Sequence, residues 1–361
     1  MQDSPGLPPL NAGPQFPNMS VKKILIIKLR AIGDVVMSTI VIKNLRALYP
    51  MAQIDFLTEK PGAMVVAGIP HLNSVRILPR NRKKSSFGRF IDDVRFIREI
   101  QKQKYDLVID YFGNPRSALL TWLSGASFRV GYDYRIRQLA YNHVIKSRAS
   151  YMHEALWHLD ALQYLGIPIV SRQPEFYIGA DAEQFAREFW DRESLNGMPV
   201  VGINFSGGWP AKRWPLDQFA ELINRFAAEY PVRFLVLWGP GEKEDALKLV
   251  SMAPEHTLLI PPTDLKQLGA ILKRLNMMVT TDSGPMHIAA ALQVPCVAIY
   301  GPTNYKLQGP FGNIHEIVYK DDLDCLGCNR LDCDHTSCMN ALGVDRVYAG
   351  VKRCIEKNKV F

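Results

Sequence analysis

Long apolar runs are missing from the 361 residues: none reaches the roughly 18 to 20 that a bilayer crossing needs, which excludes an integral helical membrane protein. A basic-then-apolar leader is missing too. Residues 1–20, rich in Pro, Gly and Asn, read as a disordered tail, and export is not expected. Cysteine is sparse and uneven. Four of the six fall in Cys325-x2-Cys328-x4-Cys333-x4-Cys338, which is not how disulfides staple a secreted chain of this size, so a reducing cytoplasm fits better. No Gly-x-Gly-x-x-Gly follows the first β-branched run and no Gly-x4-Gly-Lys-Ser/Thr occurs, which removes dehydrogenase and P-loop readings. A Gly-x-Ser-x-Gly elbow and a His-Glu-x-x-His pair are absent as well.

What is present is an ordinary soluble composition, 47% hydrophobic and 22% charged, in a chain long enough for two domains. The charge is lopsided. Residues 1–175 hold 24 Lys and Arg against 13 Asp and Glu, while residues 176–361 hold 19 against 22, so the whole +8 excess comes from the first half. An anionic partner for that half follows, whether phosphorylated lipid headgroup, membrane surface or nucleic acid; a solvated loop and helix face around Arg80, Lys83 and Arg98 is the plain alternative.

Along the chain, strand and helix patterns alternate. Val21 to Lys28 reads as a strand, Val35 to Tyr49 as a helix, and strands recur at Ile54–Thr58, Val75–Leu78, Leu107–Tyr111 and Phe128–Tyr132. The rhythm restarts after Gly197-Met198-Pro199, with strands at Val200–Phe205, Arg233–Trp238, Leu258–Ile260 and through Thr281, each followed by a helix. Two doubly wound α/β domains in tandem are expected, 21–175 and 176–342, with a terminal helical segment 343–361. Ligands of such sheets sit at the carboxyl ends of strands.

Three strand-end loops of the second half stand out there. Thr280-Thr281-Asp282-Ser283-Gly284-Pro285-Met286-His287 reads as strand, tight turn and helix start, whose unpaired first amides suit a phosphate oxygen; by itself the stretch could equally be a plain βαβ turn capped by Asp282. Ser206-Gly207-Gly208 to Lys212-Arg213-Trp214-Pro215 adds cations, and Gly239-Pro240-Gly241-Glu242-Lys243-Glu244 adds carboxylates able to accept from ribose hydroxyls. Together they can build a nucleotide site. In the first half, the loop Arg30-Ala31-Ile32-Gly33-Asp34 places a carboxylate at a strand end, where Asp34 by itself reads as the N-cap of the next helix. The cysteine cluster can ligate zinc, with His335 as a substitute ligand, or remain as free thiols.

Arg30-x2-Gly33-Asp34-Val35, Ser206-Gly207-Gly208 to Trp214-Pro215, Gly239-Pro240-Gly241-Glu242 and Asp282-Ser283-Gly284-x2-His287 with Gly301-Pro302-Thr303 together resemble glycosyltransferase family 9, which contains the ADP-heptose:lipopolysaccharide heptosyltransferases. The resemblance runs from about Val21 to Lys357. It implies the GT-B architecture, two Rossmann-like doubly wound domains facing a central cleft, acceptor mostly on the first and nucleotide sugar on the second, with the terminal helix crossing back. It implies inverting, metal-independent transfer of heptose from ADP-heptose to the lipopolysaccharide inner core, at the cytoplasmic face of the inner membrane. By motif position, Asp34 matches the general base, and Lys212, Asp282, Ser283, Gly284 and His287 match donor contacts. Ser206 and Glu242 are added as donor-binding candidates, Glu244 staying open against Glu242, and Arg30, Arg80 and Lys83 as acceptor-binding ones. Alternatives are a nucleotide-sugar isomerase of the same architecture, a family 9 transferase using another nucleotide sugar, and a non-catalytic membrane-associated protein with a zinc module.

Overall fold

The computed structural model describes residues 7–14, 16, 19–79, 86–330 and 332–361. They divide into two compact units, Met1–Tyr177 and Ile178–Phe361. The first unit contains β1 (Lys23–Ile27), α1 (Ile32–Ser38), α2 (Ile42–Leu48), β2 (Gln53–Thr58), α3 (Lys60–Val66), β3 (Ser74–Ile77), α4 (Ser86–Gln103), β4 (Leu107–Asp110), α5 (Pro115–Leu123), β5 (Phe128–Tyr132), β6 (His143–Ile145) and α6 (Glu154–Tyr164). Its strands run parallel in the order β3-β2-β1-β4-β5-β6. The central strands are buried on both faces, which is why Ile24-Leu25-Ile26-Ile27 and Leu107-Val108-Ile109 read as continuous apolar runs rather than alternating ones.

The second unit contains α7 (Ala180–Arg192), β7 (Val200–Asn204), α8 (Leu216–Glu229), β8 (Arg233–Val236), α9 (Lys243–Met252), β9 (Thr257–Leu259), α10 (Leu265–Lys273), β10 (Met277–Thr281), α11 (Gly284–Ala291), β11 (Cys296–Tyr300), α12 (Tyr305–Gln308), β12 (Glu316–Tyr319), α13 (Ser337–Asn340) and α14 (Val344–Asn358). Its sheet, β12-β11-β10-β7-β8-β9, is the same doubly wound arrangement read from the other edge. In each sheet the order reverses beside the first strand, so the crevices open between the ends of β1 and β4, and of β7 and β10.

Several expectations change. The stretch 7–20 is not wholly a loose tail: Phe16 is fully buried against Phe128 and His143, its N–H bonds to Leu165 O at 2.9 Å, and Asn11 bonds to the backbone of Val144 and Lys146. One large aromatic side chain is enough to anchor a segment that composition alone marks as loose. The helix read over Val35 to Tyr49 is split by a 3-10 turn, Thr39–Val41. There the Ser38 and Thr39 hydroxyls donate to Val35 O and Val36 O, and Glu175 N–H donates to Thr39 Oγ1. The terminal helix α14 packs on β11, β12 and α8 and lies within the second compact unit. Its Val347, Tyr348, Val351 and Cys354 join the core that holds Trp214 and Phe226.

Candidate active site

In the second unit the site grows from adjacent parallel strand ends, where Asn204 of β7 is in register with Thr280 of β10. Asn204 Nδ2 donates to Thr280 Oγ1 at 2.9 Å and to Ser283 Oγ at 2.7 Å, so the start of α11 is held by a side chain from the neighbouring strand. Ser283 is the N-cap residue of α11, yet no side chain caps that helix, and Pro285 occupies its first turn. The first amides of α11 thus retain their capacity for an anion. Asp282, just before, is buried and pairs with Lys212 Nζ at 2.6 Å. His287 is buried one turn further on.

Lys212 reaches this place through its loop. It closes a 3-10 turn, Pro210–Lys212, between buried Ala211 and the fully buried Trp214, whose indole N–H donates to Leu342 O at 2.8 Å. Gly207 lies against it: a Cβ there would sit 2.4 Å from Lys212 Cβ and 3.0 Å from its carbonyl oxygen, so the Ser206-Gly207-Gly208 turn is built for close approach to this lysine. The third loop joins through Glu242, which accepts from the Ser206 hydroxyl and, at 2.8 Å, from Gly239 N–H. Glu244 is exposed on the first turn of α9 and takes no part in that link. Burial, and then the Asp282 carboxylate, push the Tyr300 hydroxyl well above its ordinary pKa, so Tyr300 stays protonated and donates to Gln308 O.

In the first unit Asp34 lies in the first turn of α1, whose N-cap is Ala31 with no side-chain cap. The capping role weighed for Asp34 is therefore not the one it plays. Beside it is Lys28, at the end of β1 and only 4% exposed, with Nζ 2.7 Å from Glu154 Oε1 and 5.7 Å from the Trp157 ring centroid. Burial pulls the Lys28 pKa down, but Glu154 and Asp34 outweigh it and leave the pKa above the usual lysine value. Asp110, at the end of the adjacent β4, is fully buried. Burial raises its pKa even though Phe112 N–H, Gly113 N–H and the Tyr141 hydroxyl donate to it.

His158, on α6, is fully buried beside Tyr111 and Trp157 with no hydrogen-bond partner for either ring nitrogen. Burial, then the Lys28 charge, hold its pKa well below the ordinary value. A group depressed in this way contributes stability above its unfolded pKa of about 6.5 and loses it as pH falls below, at up to about 1.4 kcal/mol per pH unit. His315, lowered to about 4 chiefly by burial, adds the same slope between those limits. His158→Phe should remove one proton's worth of slope from urea-unfolding stability as pH falls below about 6.5; a slope identical to wild type would refute the buried neutral imidazole.

The structure brings Ser206, Lys212, Glu242, Asp282 and Ser283 into one linked cluster, with Gly284 and His287 on the helix that starts there. Arg30 is exposed in the Asp34 loop with no partner among the described residues, and Arg80 and Lys83 lie outside the described residues. None of the six cysteines is in a disulfide; Cys325, Cys328 and Cys333 stand close enough to Cys338 for their charge to act on it, while among the described residues no three His, Cys, Asp or Glu side chains are grouped to hold a metal ion. The cysteine-rich loop instead lies along the turn after β11, with Gly327 N–H on Gly301 O and Asn329 N–H on Pro302 O. Cys338 packs so near Gly301 that a Cβ there would be 2.7 Å from its sulfur. Sequence reasoning missed Asn204, Lys28 and Glu154. The first two carry a legible signal, a polar residue ending a buried apolar strand; Glu154 is 126 positions from its partner and carries none.

Comparison with known proteins decides the family. The model of "Glycosyltransferase family 9 (heptosyltransferase)" matches residues 94–338. The chain belongs to glycosyltransferase family 9. It is 25% identical over 327 residues to lipopolysaccharide heptosyltransferase 1 of Pseudomonas aeruginosa, covering 87% of this chain and 88% of that protein. It is 26% identical over 293 residues to lipopolysaccharide heptosyltransferase 3 of Escherichia coli, covering 78% and 84%. Among solved structures, the glycosyl transferase family 9 protein from Veillonella parvula superimposes with a TM-score of 0.81 at 22% identity, over 93% of this chain and 97% of that one. The E. coli heptosyltransferase WaaC with ADP gives 0.71 at 23%, over 93% and 99%. This family 9 member is a glycosyltransferase of GT-B-like fold, with the two doubly wound parallel-sheet domains expected, each sheet having six strands.

Proposed function

We propose that the protein transfers a heptose from ADP-heptose to the inner core of lipopolysaccharide by one inverting, metal-independent displacement, working as a peripheral protein at the cytoplasmic face of the inner membrane. The observation that carries this reading is the Lys212–Asp282 pair beside the uncapped start of α11, a cation and helix amides gathered where a diphosphate leaving group is stabilised. Support comes from relatives named as lipopolysaccharide heptosyltransferases and from a similar structure solved with ADP. The cationic first half suits a phosphorylated acceptor.

In this mechanism Asp34 takes the proton of the acceptor hydroxyl as its oxygen attacks the anomeric carbon. The bond from that carbon to the diphosphate breaks, the electron pair leaves with ADP, and Lys212 with the α11 amides meets the growing charge. Asp282 positions Lys212 rather than meeting phosphate, since two anions repel. Ser206 and Glu242 tie the other two loops beside the nucleotide.

The test incubates the protein with ADP-heptose, ADP-hexoses or UDP-sugars, each with and without a core acceptor and with chelator present. Heptosylated acceptor of inverted anomeric configuration is expected from ADP-heptose alone. Epimerised sugar formed without acceptor would select the isomerase reading, and transfer abolished by chelator would end the metal-independent one.

A further inference from the structure

Four large apolar side chains stand exposed on two neighbouring elements of the first unit. Leu119 and Trp122, 47% and 56% exposed, lie one turn apart on α5. Ile136 and Leu139, 78% and 75% exposed, are three apart on the 3-10 helix Arg135–Ala140, a spacing that eclipses side chains. That 3-10 helix packs against α5, and α5 packs against α4. Single exposed apolar residues are ordinary; four on adjoining elements mark an interaction site.

The surroundings are cationic. Arg135 is exposed at the start of the 3-10 helix, and Arg137 lies over the Tyr134 ring. On α4, Ile91, Val94, Arg95, Arg98, Glu99 and Lys102 line a groove of about 500 Å³. Arg95, Arg98 and Lys102 are exposed there and in no ion pair among the described residues. The core of a protein–protein contact is depleted in charge, whereas apolar side chains flanked by unpaired cations match the boundary between acyl chains and anionic headgroups, where tryptophan also concentrates.

We infer that α5, the 3-10 helix Arg135–Ala140 and the exposed face of α4 form the surface by which this protein docks on an anionic lipid bilayer, with Leu119, Trp122, Ile136 and Leu139 entering the headgroup boundary. The placement suits the chemistry. Tyr134, immediately before the 3-10 helix, is one of the charged or titratable groups that surround Lys28 together with Glu154 and Asp34. An acceptor whose lipid end stays in the bilayer then presents its sugar near Asp34. This last step rests on the proposed transfer to a membrane-held acceptor; the docking does not.

The full chain is sedimented with phosphatidylethanolamine–phosphatidylglycerol vesicles and with pure phosphatidylcholine vesicles, with neither donor nor acceptor present, so failure to dock leaves the transferase reading standing and the reverse holds too. Wild type should bind the anionic vesicles more tightly, in a salt-sensitive manner. Ile136→Ser/Leu139→Ser should weaken binding about tenfold or more, through lost apolar burial. Arg95→Glu/Arg98→Glu/Lys102→Glu should weaken it about fivefold per charge and remove the salt sensitivity. Both variants should keep wild-type turnover on a delipidated, soluble acceptor and wild-type near-ultraviolet circular dichroism, which establishes that they fold. Undiminished vesicle binding by either variant overturns the assignment. So does a wild-type dimer that Ile136→Ser/Leu139→Ser converts to monomer, which would make the patch a contact between copies.

Discussion

Asp34→Asn should lower kcat by about 10²- to 10⁴-fold, the span attributed to a general base, while ADP-heptose binds within a fewfold of wild type by calorimetry. The substitution keeps the shape of the side chain and its place in the first turn of α1, and removes the carboxylate's charge and with it the ability to take a proton. Loss of its charge near Lys28 and in the first turn of α1 should lower thermal stability modestly, so kcat is compared well below both melting temperatures. Donor affinity is spared because the cation and helix start that would hold the diphosphate belong to the second unit. Lys28 supplies a graded control. Its ammonium is fixed by Glu154 within Coulombic range of Asp34, so Lys28→Met should reduce kcat less than Asp34→Asn and destabilise the unit as well, since Glu154 is left without its cation. Turnover by Asp34→Asn within tenfold of wild type would assign the base elsewhere.

What the sequence discloses follows from which forces are local. The central strands were legible because a parallel sheet buried on both faces demands unbroken runs such as Ile24–Ile27 and Val200–Ile203. Two of the four edge strands were not: β6 (His143–Ile145) and β12 (Glu316–Tyr319) are short, and their pairing with β5 and β11 defines them rather than any periodicity of their own. The three strand-end loops of the second unit were legible because turn chemistry is local, as at Gly207, where only a glycine lets the chain pass Lys212. The arrangement behind them was not. Asn204 gripping Ser283, and Glu154 gripping Lys28, join positions 79 and 126 residues apart, and only the strand order brings them together. The cysteines were legible as a cluster, since Cys325, Cys328 and Cys333 do gather near Cys338, but not their backbone, which covers the turn after β11.

Lys212→Met should reduce kcat/KM by about 10²- to 10³-fold, the cost of removing one preorganised group that meets developing charge. The side chain is mostly buried, held at 2.6 Å by Asp282, and carries the one cation shown to be bound into the α11 turn. Its loss removes the counter-charge to the departing diphosphate and leaves the Asp282 carboxylate buried without its cation, so stability falls too. The two effects separate in a double-mutant cycle. If Asp282 works by positioning Lys212, Asp282→Asn costs less activity than Lys212→Met, and adding it to Lys212→Met costs no further activity while recovering stability, because the unpaired carboxylate is gone. If Asp282 met the donor on its own account, the two losses would multiply. Lys212→Arg keeps the charge but puts a planar fork in place of a compact ammonium against Asp282, and should recover only part of the rate. A Lys212→Met enzyme within threefold of wild type would remove this lysine from the site and leave the α11 amides to meet the diphosphate without it.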